Sequence, residues 1–482
     1  MAPDDFRAAA TTVAGLMADY LAHLERYRVL PPLEPGELRG RFPGSPPEAP
    51  EPLAAILDDY CRLVEPNVTH WQHPGFMAYF PSTSSAAGIL AEMLATTLVA
   101  NAMLWRTSPV ATELEEVTVD WLRQALGLPD AFGGLFTDTA STSSLIALAG
   151  ARQAAYPEAA QRGLASGPRL RLYASAEAHS SIEKAAMTLG LGREGLRRIP
   201  VDDRYQMEVV ALRDAIAEDR ADGWLPAAIV ATVGTTGSTS VDPVAELADV
   251  AAAEGIWLHV DAAYAGVTAL LPDRRGPFAG WEQADSIVIN PHKWLFTPID
   301  CSLLLTHRLE TIRASYSLVP EYLRTLDRER PVHDFHEYTP QLGRRFRALK
   351  IWFVLRWFGL EGLRSRLRAH LDLAQRLAAW VEDEPDAELL APVPFSTVCL
   401  RWRPVDWPDA DAPAAAERLD RLNEQILERV NASGDVFLSH TRLRGRFTIR
   451  VAIANLRTEE RHVAGAWELI RKSGRELSAT ID

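Results

Sequence analysis

The sequence predicts an α/β protein: a large domain on a mixed, mostly parallel sheet, with an N-terminal helical segment before it and a small α+β domain after it. Two observations lead there. Between residues 86 and 310, short apolar runs (Leu170–Ala174, Ala227–Val233, Ile256–Val260, Ser286–Ile289, Ser302–Thr306) alternate with helical segments of ten or more residues. Strands separated by helices pair in parallel. Beyond about residue 360 the texture changes, and strand-like Phe395–Trp402 and Phe447–Ile453 flank helical stretches at Ala414–Val430 and Glu459–Lys472. A chain of 482 residues, 47% hydrophobic and 24% charged, is long enough for such a division.

Taken in order, residues 6–27 place Val13, Leu16, Met17, Tyr20, Leu21 and Leu24 at helical spacing. The proline-rich stretch from Pro31 to Pro52 reads as an extended connector. This arm buries little by itself. Residues 1–85 are therefore expected to pack on another domain or a partner subunit, with residues 86–360 forming the large domain and 361–482 the small one. There is no internal repeat.

The bulk numbers exclude several function classes. A net charge of −14, from 50 basic and 64 acidic residues, argues against nucleic acid or an anionic membrane as partner. Cys61, Cys301 and Cys399 have no metal-ligand spacing and make no disulfide framework, which fits a reducing cytoplasm and no metal. No apolar run reaches the ~18 residues of a membrane span. The N-terminus lacks a basic stretch followed by an apolar one. The expectation is a soluble cytoplasmic protein.

In an open parallel sheet, ligands gather at the carboxyl ends of the strands, and four segments offer chemistry there. Thr139-Ala140-Ser141-Thr142 precedes a helix from Leu145 to Ala155; it reads as a phosphate cradle of amides and hydroxyls or as a simple helix cap. His179, between a strand and a helix, reads as a ring-stacking or proton-transferring imidazole or as a solvated loop histidine. Asp261 closes the buried-looking run Ile256–Val260. A carboxylate there calls for a cation or donor, either a structural salt bridge or a pyridinium nitrogen, and Ala263 is small enough for a ring to lie against. Thr236, in a turn after another strand, could reach the same ligand. Lys293 follows Asn290-Pro291-His292 at the end of Ser286–Ile289. A lysine that forms a Schiff base needs such a rigid, dry setting, although a lone loop lysine is more often solvated. Together the four supply an anion cradle, a stacking group, a counter-charge for a ring nitrogen and an amine, which is what pyridoxal 5′-phosphate (PLP) requires.

The same residues fall in strings that resemble group II PLP-dependent decarboxylases, especially aromatic-L-amino-acid decarboxylases: THW (69–71), HPGFMAYFP (73–81), SPVATELE (108–115), AHSSIEKA (178–185), ATVGTT (231–236), WLHVDAAYAG (257–266), NPHKWL (290–295) and LGRRFRALK (342–350). The resemblance runs from about His70 to Lys350. It implies the PLP-dependent fold type I (aspartate aminotransferase-like) and a homodimer with active sites at the interface. It also implies roles. Lys293 holds PLP covalently, Asp261 pairs with its ring nitrogen and His179 stacks on the ring. Ala140, Ser141, Asn290 and His292 serve the phosphate, and Thr236 the ring's polar edge. Tyr322, in Pro320-Glu321-Tyr322-Leu323, stands where the family's tyrosine protonates the substrate carbon after CO₂ leaves. The surrounding stretch, Ser315 to Tyr338, is polar, charged and weakly periodic, and reads as a mobile lid or an exposed linker.

On the substrate side the resemblance implies Trp71, Tyr79, Phe80, Pro81 and Ser82, with Met103 contributed across the family's dimer. Asn101 and Met103 stand where the better-known animal members carry isoleucine and phenylalanine, and Ser82 where they carry threonine. Gly343, where some phenolic-specific members carry serine, leaves room for an indole. Relatives with phenylalanine at the position of Tyr322, or asparagine at that of His179, divert the chemistry to aldehydes; this chain has Tyr322 and His179. The expectation is decarboxylation of an aromatic L-amino acid (tryptophan, DOPA or tyrosine-like) to the amine and CO₂. The alternative keeps the PLP site but yields an aldehyde by oxidative deamination, or an elimination product, from a specialised-metabolism amino acid. A silent scaffold would be expected to lack Lys293 or Asp261, and a NAD-dependent dehydrogenase would want a Gly-x-Gly-x-x-Gly turn, which is absent.

Overall fold

The computed structural model describes residues 1–318, 332–407 and 413–480. Its contacts divide the chain into two compact units. One comprises Ser82–Ala374 and Ala391–Thr397; the other comprises Met1–Pro81, Gln375–Leu390 and Val398–Asp482.

The larger unit is built on a seven-stranded sheet in the order β1-β7-β6-β5-β4-β2-β3. The strands are β1 (Gly133–Thr137), β2 (Arg169–Ser175), β3 (Leu196–Ile199), β4 (Trp224–Thr232), β5 (Trp257–Asp261), β6 (Ser286–Ile289) and β7 (Ser302–Thr306). The pairs β2–β3, β2–β4, β4–β5 and β5–β6 are parallel, while β7 runs antiparallel to β6 and β1. The six strands other than β7 thus point one way and place their carboxyl ends on one edge. The five runs read from the sequence are five of these strands. β1 and β3 are additional: Gly133-Gly134 hides the first, and Arg197-Arg198 gives the second, an edge strand, a polar texture.

Strands β5, β6 and β7 are buried along their whole length, as a central sheet covered on both faces requires. Helix Ala140–Ala155 packs Ile146, Ala147 and Leu148 into a core with Leu135, Leu172, Val230, Trp257 and Leu304. Phe335 and Tyr338 join the same core, which corrects the reading of Ser315 to Tyr338 as a polar lid throughout. Its last turn, Phe335–Tyr338, is buried because two aromatic side chains outweigh the charged residues around them.

The second unit has a four-stranded antiparallel sheet, β10-β11-β9-β8, formed by β8 (Ala387–Leu389), β9 (Thr397–Trp402), β10 (Ser439–Leu443) and β11 (Arg446–Ala452). The N-terminal arm belongs with it. Val29 N–H donates to Gly434 O at 2.7 Å, Met77 N–H to Phe437 O at 3.0 Å and Ala452 N–H to Met77 O at 2.9 Å. Helix Pro3–Ala22 buries none of its residues. No helix among the described residues is long and apolar enough to cross a membrane.

One glycine is needed where β1 lies against β7. A Cβ on Gly134 would stand 2.3 Å from the Leu304 carbonyl oxygen. Gly134→Ala is expected to destabilise the fold by about 1–3 kcal/mol, as overpacking does, and to lower the melting temperature in a calorimetric scan.

Candidate active site

The site grows from the ends of β4, β5 and β6, where hydrogen bonding continues past the strands. Val233 N–H donates to Asp261 O at 2.9 Å, Ala262 N–H to Val288 O at 3.0 Å and Asn290 N–H to Ala263 O at 3.0 Å. Asp261 at the end of β5 is therefore fixed in register with the turn after β6. Lys293 lies one short helical turn further on, in Pro291–Trp294, with its N–H donating to Asn290 O at 3.0 Å. Asp261 is buried, and its Oδ1 accepts from Ala263 N–H at 3.1 Å. Trp294, beside Lys293, stacks on Tyr264 at 4.8 Å and donates its Nε1–H to His370 Nδ1 at 2.8 Å. The residue next to the lysine and the loop after Asp261 thus lock each other.

His179 is the N-cap of helix Ser180–Thr188, and its Nδ1 accepts from Ser181 N–H at 3.1 Å. That bond leaves Nε2 to carry the proton of the neutral ring. His179 is exposed, yet enough protein surrounds it to lower its pKa by desolvation. The charge of Asp261 opposes that shift, and the charge of Lys293 adds to it. Both charges act on the one imidazole.

Another helix begins just past the carboxyl end of β1, on the same edge of the sheet. Helix Ala140–Ala155 begins after Thr139 with no side-chain cap. Its first intrahelical bond runs from Ser143 N–H to Thr139 O at 3.0 Å, so the amides of Ala140, Ser141 and Thr142 precede the ladder. Beneath them, Ser143 Oγ bridges Thr137 Oγ1 at 2.8 Å and Ser302 Oγ at 2.9 Å, tying the turn to β1 and β7. His292 is buried, and its Nδ1 accepts from Cys301 N–H at 2.9 Å, so its neutral ring presents Nε2–H. Burial, with the charges of Lys293 and Lys350, lowers its pKa to about 4. Asn290 is also buried, and its carboxamide Oδ1 has no hydrogen-bond partner among the described residues. A buried polar atom left without a protein partner is where a polar ligand group completes the bonding; the amide's ends exchange by a half-turn. This donor set fits the phosphate and ring of PLP. Thr236 is exposed at its turn, while Thr235 is buried and its Oγ1 accepts from Ser240 N–H at 3.0 Å.

Other expected residues fall elsewhere. Ser82 and Met103 lie in the unit that holds Lys293; Trp71, Tyr79, Phe80 and Pro81 lie in the other. There Trp71 stacks on Phe76 at 4.3 Å and faces Tyr79 at 6.1 Å, and Arg450 lies 4.4 Å over the Phe80 ring. Tyr322 lies outside the described residues.

Sequence reasoning missed His259, whose signal is its spacing: two residues before Asp261, it lies on the same face of β5. It is fully buried, with Nδ1 2.9 Å from Ser286 Oγ and Nε2 3.1 Å from Ser144 Oγ, and Trp257 Nε1–H donates to the same Ser286 Oγ at 2.9 Å. Burial lowers its pKa to about 4. The unfolded chain protonates this histidine below about pH 6.5, whereas the folded chain resists until about pH 4. Stability is therefore full above the first value and falls as the pH drops through this window. His259→Gln is expected to flatten the fall by about 1.4 kcal/mol per pH unit, measured by urea unfolding across that range.

Comparison with known proteins agrees with the geometry. The profile of the pyridoxal-dependent decarboxylase conserved domain matches residues 35–403. A phenylacetaldehyde synthase of Arabidopsis thaliana is 39% identical over 96% of this chain and 94% of its own length. An aromatic-L-amino-acid decarboxylase of Sus scrofa is 38% identical over 99% and 98%. The crystal structure of Oryza sativa TDC with PLP and tryptamine superposes with a TM-score of 0.94 at 35% identity, covering 99% of each chain. With the family matched along most of its length and the strand-end site in place, the chain belongs to the pyridoxal-dependent decarboxylases and is an amino-acid decarboxylase whose cofactor is PLP.

Proposed function

We propose that this protein decarboxylates an aromatic L-amino acid to its amine. The observation that carries the reading is the hydrogen-bonded register that sets Asp261, at the end of β5, beside the Asn290–Lys293 turn after β6. In this reading Lys293 attaches the cofactor, Asp261 holds the proton of its ring nitrogen, His179 stacks on the ring and Ala263 lies against it. The first-turn residues Ala140 and Ser141, with Asn290 and His292, hold the phosphate, and Thr236 meets the ring's polar edge. The cofactor's ring supplies a sink for the electron pair released as the Cα–carboxylate bond breaks. Neutral His179 leaves Asp261 and Lys293 as the charges that steer the proton at the ring. The Tyr322 hydroxyl then gives a proton to Cα.

For the substrate side chain, the reading assigns Trp71, Tyr79, Phe80, Pro81, Ser82 and Met103. Aromatic contacts add about 0.5–1.5 kcal/mol beyond area burial, and the tryptamine bound by the rice relative supports an indole. Gly343, an exposed residue without a side chain, leaves room for an indole in this reading.

A second copy of the chain is the partner in this reading. Helix Ala86–Leu98 and the residue after it expose Leu90, Met93, Leu94, Leu98 and Val99, the last at 83%. A contiguous apolar face of this kind supports an isologous contact. The thiols of Cys61, Cys301 and Cys399 support a cytoplasmic location.

The aldehyde-forming alternative has one observation in its favour, the phenylacetaldehyde synthase among the relatives; Tyr322 and His179 weigh against it. Incubation with tryptophan, tyrosine and DOPA is expected to give amine and CO₂ with little aldehyde or peroxide; predominant aldehyde would transfer the reading to the alternative, and an ammonia-releasing product without CO₂ to elimination. Borohydride is expected to link the cofactor to Lys293, and Lys293→Ala to lower the rate by at least a thousandfold; full-rate CO₂ release by that variant would refute the proposal. Sedimentation is expected to show a dimer that Leu94→Glu converts to an inactive monomer.

A further inference from the structure

We propose that Asn101, backed by the buried Arg344–Glu115 ion pair, is a specificity-determining positioning residue that fixes the side chain of Met103. The inference rests on the reading above that Met103 meets the substrate. Methionine has three rotatable bonds and a soft thioether, so an unsupported one adapts to many shapes. Met103 is supported. Asn101 Nδ2–H donates to its Sδ at 3.6 Å, and Asn101 Oδ1 accepts from Arg344 N–H at 3.0 Å. Both ends of the amide are engaged, which makes Asn101 a brace between Arg344 and the methionine sulfur rather than a polar group offered to the substrate.

The brace stands on a rigid base. Ala102 N–H donates to Arg344 O at 2.9 Å, and Asn101 pairs with Arg345 as an antiparallel bridge. The Arg344 guanidinium donates to Ala102 O at 3.1 Å, to Phe136 O at 2.8 Å and to Glu115 Oε1 at 2.6 Å. Glu115 Oε1 also accepts from Phe136 N–H at 2.8 Å. The two charged side chains are 2% and 1% exposed. On the other side, Met103 O accepts from His336 N–H at 2.9 Å. The backbone on which Met103 stands is thereby bonded to the end of β1, the strand that leads into the Thr139–Ala140 turn. The substrate wall and the anion cradle share one anchor.

Asn101 is itself exposed, so Asn101→Leu removes the brace without opening the core. The experiment compares kcat/KM for tryptophan and tyrosine in the wild type, Asn101→Leu, Met103→Ala, the double variant and Arg344→Lys. It also records the absorbance of the bound cofactor, the melting temperature and the ¹³C-methyl spectrum of the seven methionines of the holoenzyme. Asn101→Leu is expected to move the tryptophan-to-tyrosine ratio at least fivefold, chiefly through KM. The absorbance stays unchanged, and the resonance lost in Met103→Ala shifts toward a rotamer-averaged position. The double variant is expected to move the ratio no further than Met103→Ala alone, and Arg344→Lys to move it as Asn101→Leu does. If Met103→Ala moves the ratio while Asn101→Leu leaves ratio and resonance in place, the inference is overturned. If Met103→Ala leaves the ratio in place, the underlying reading of Met103 fails instead. Should Arg344→Lys not fold, Asn101→Leu alone decides.

Discussion

The hydrogen bonds that carry the pairing of β4, β5 and β6 beyond the strand ends are the constraint on which the site depends. A strand fixes its own side chains, but Asp261 and Lys293 belong to different strands, and Lys293 lies beyond the end of one. What gives them a fixed relation is that Asn290 N–H is bonded to Ala263 O and Ala262 N–H to Val288 O. The turn after β6 is thus an extension of the sheet. The stacked Tyr264 and Trp294 rings close the same link through side chains. Positions held by backbone bonds on both neighbours lose little freedom when a ligand arrives.

The histidines around this link share one electrostatic logic. His179, His259 and His292 each have a pKa lowered first by desolvation. In His179 and His292, Nδ1 is occupied by a backbone N–H, which fixes the tautomer. A neutral imidazole can donate one hydrogen bond and stack without adding positive charge. Charged, His179 and His259 would be drawn to Asp261, and His179 and His292 would repel Lys293. Desolvation therefore favours the neutral form of each of the three rings.

Much of this was readable in the sequence, for physical reasons that also mark the limit. Strands β5, β6 and β7 are buried throughout, so each is an apolar run bounded by polar turns, and the candidate groups stand where those runs end. β1 was hidden by Gly133-Gly134, whose missing side chains let it approach β7, and β3 by two arginines on an edge strand. Burial of Phe335 and Tyr338 depends on a core assembled from residues 135–312, and no local pattern announces it. The same holds for the arm before residue 82. Its bonds reach Gly434 and Phe437, some 400 positions away, beyond any periodicity.

The Arg344–Glu115 pair is another such distant link, and a charged one. Taking two charges out of water costs several kcal/mol per ion, and an ion pair alone often fails to repay it. Here three hydrogen bonds to acceptors meet the guanidinium and two donors meet Glu115 Oε1, while the Phe335 ring lies 4.6 Å from the Arg344 guanidinium carbon. A hydrophobic pair of equal volume would satisfy none of the carbonyls of Ala102 and Phe136 that Arg344 now binds. The pair does what apolar packing cannot: it joins the segment carrying Met103, the helix carrying Glu115 and the end of β1 through directional bonds.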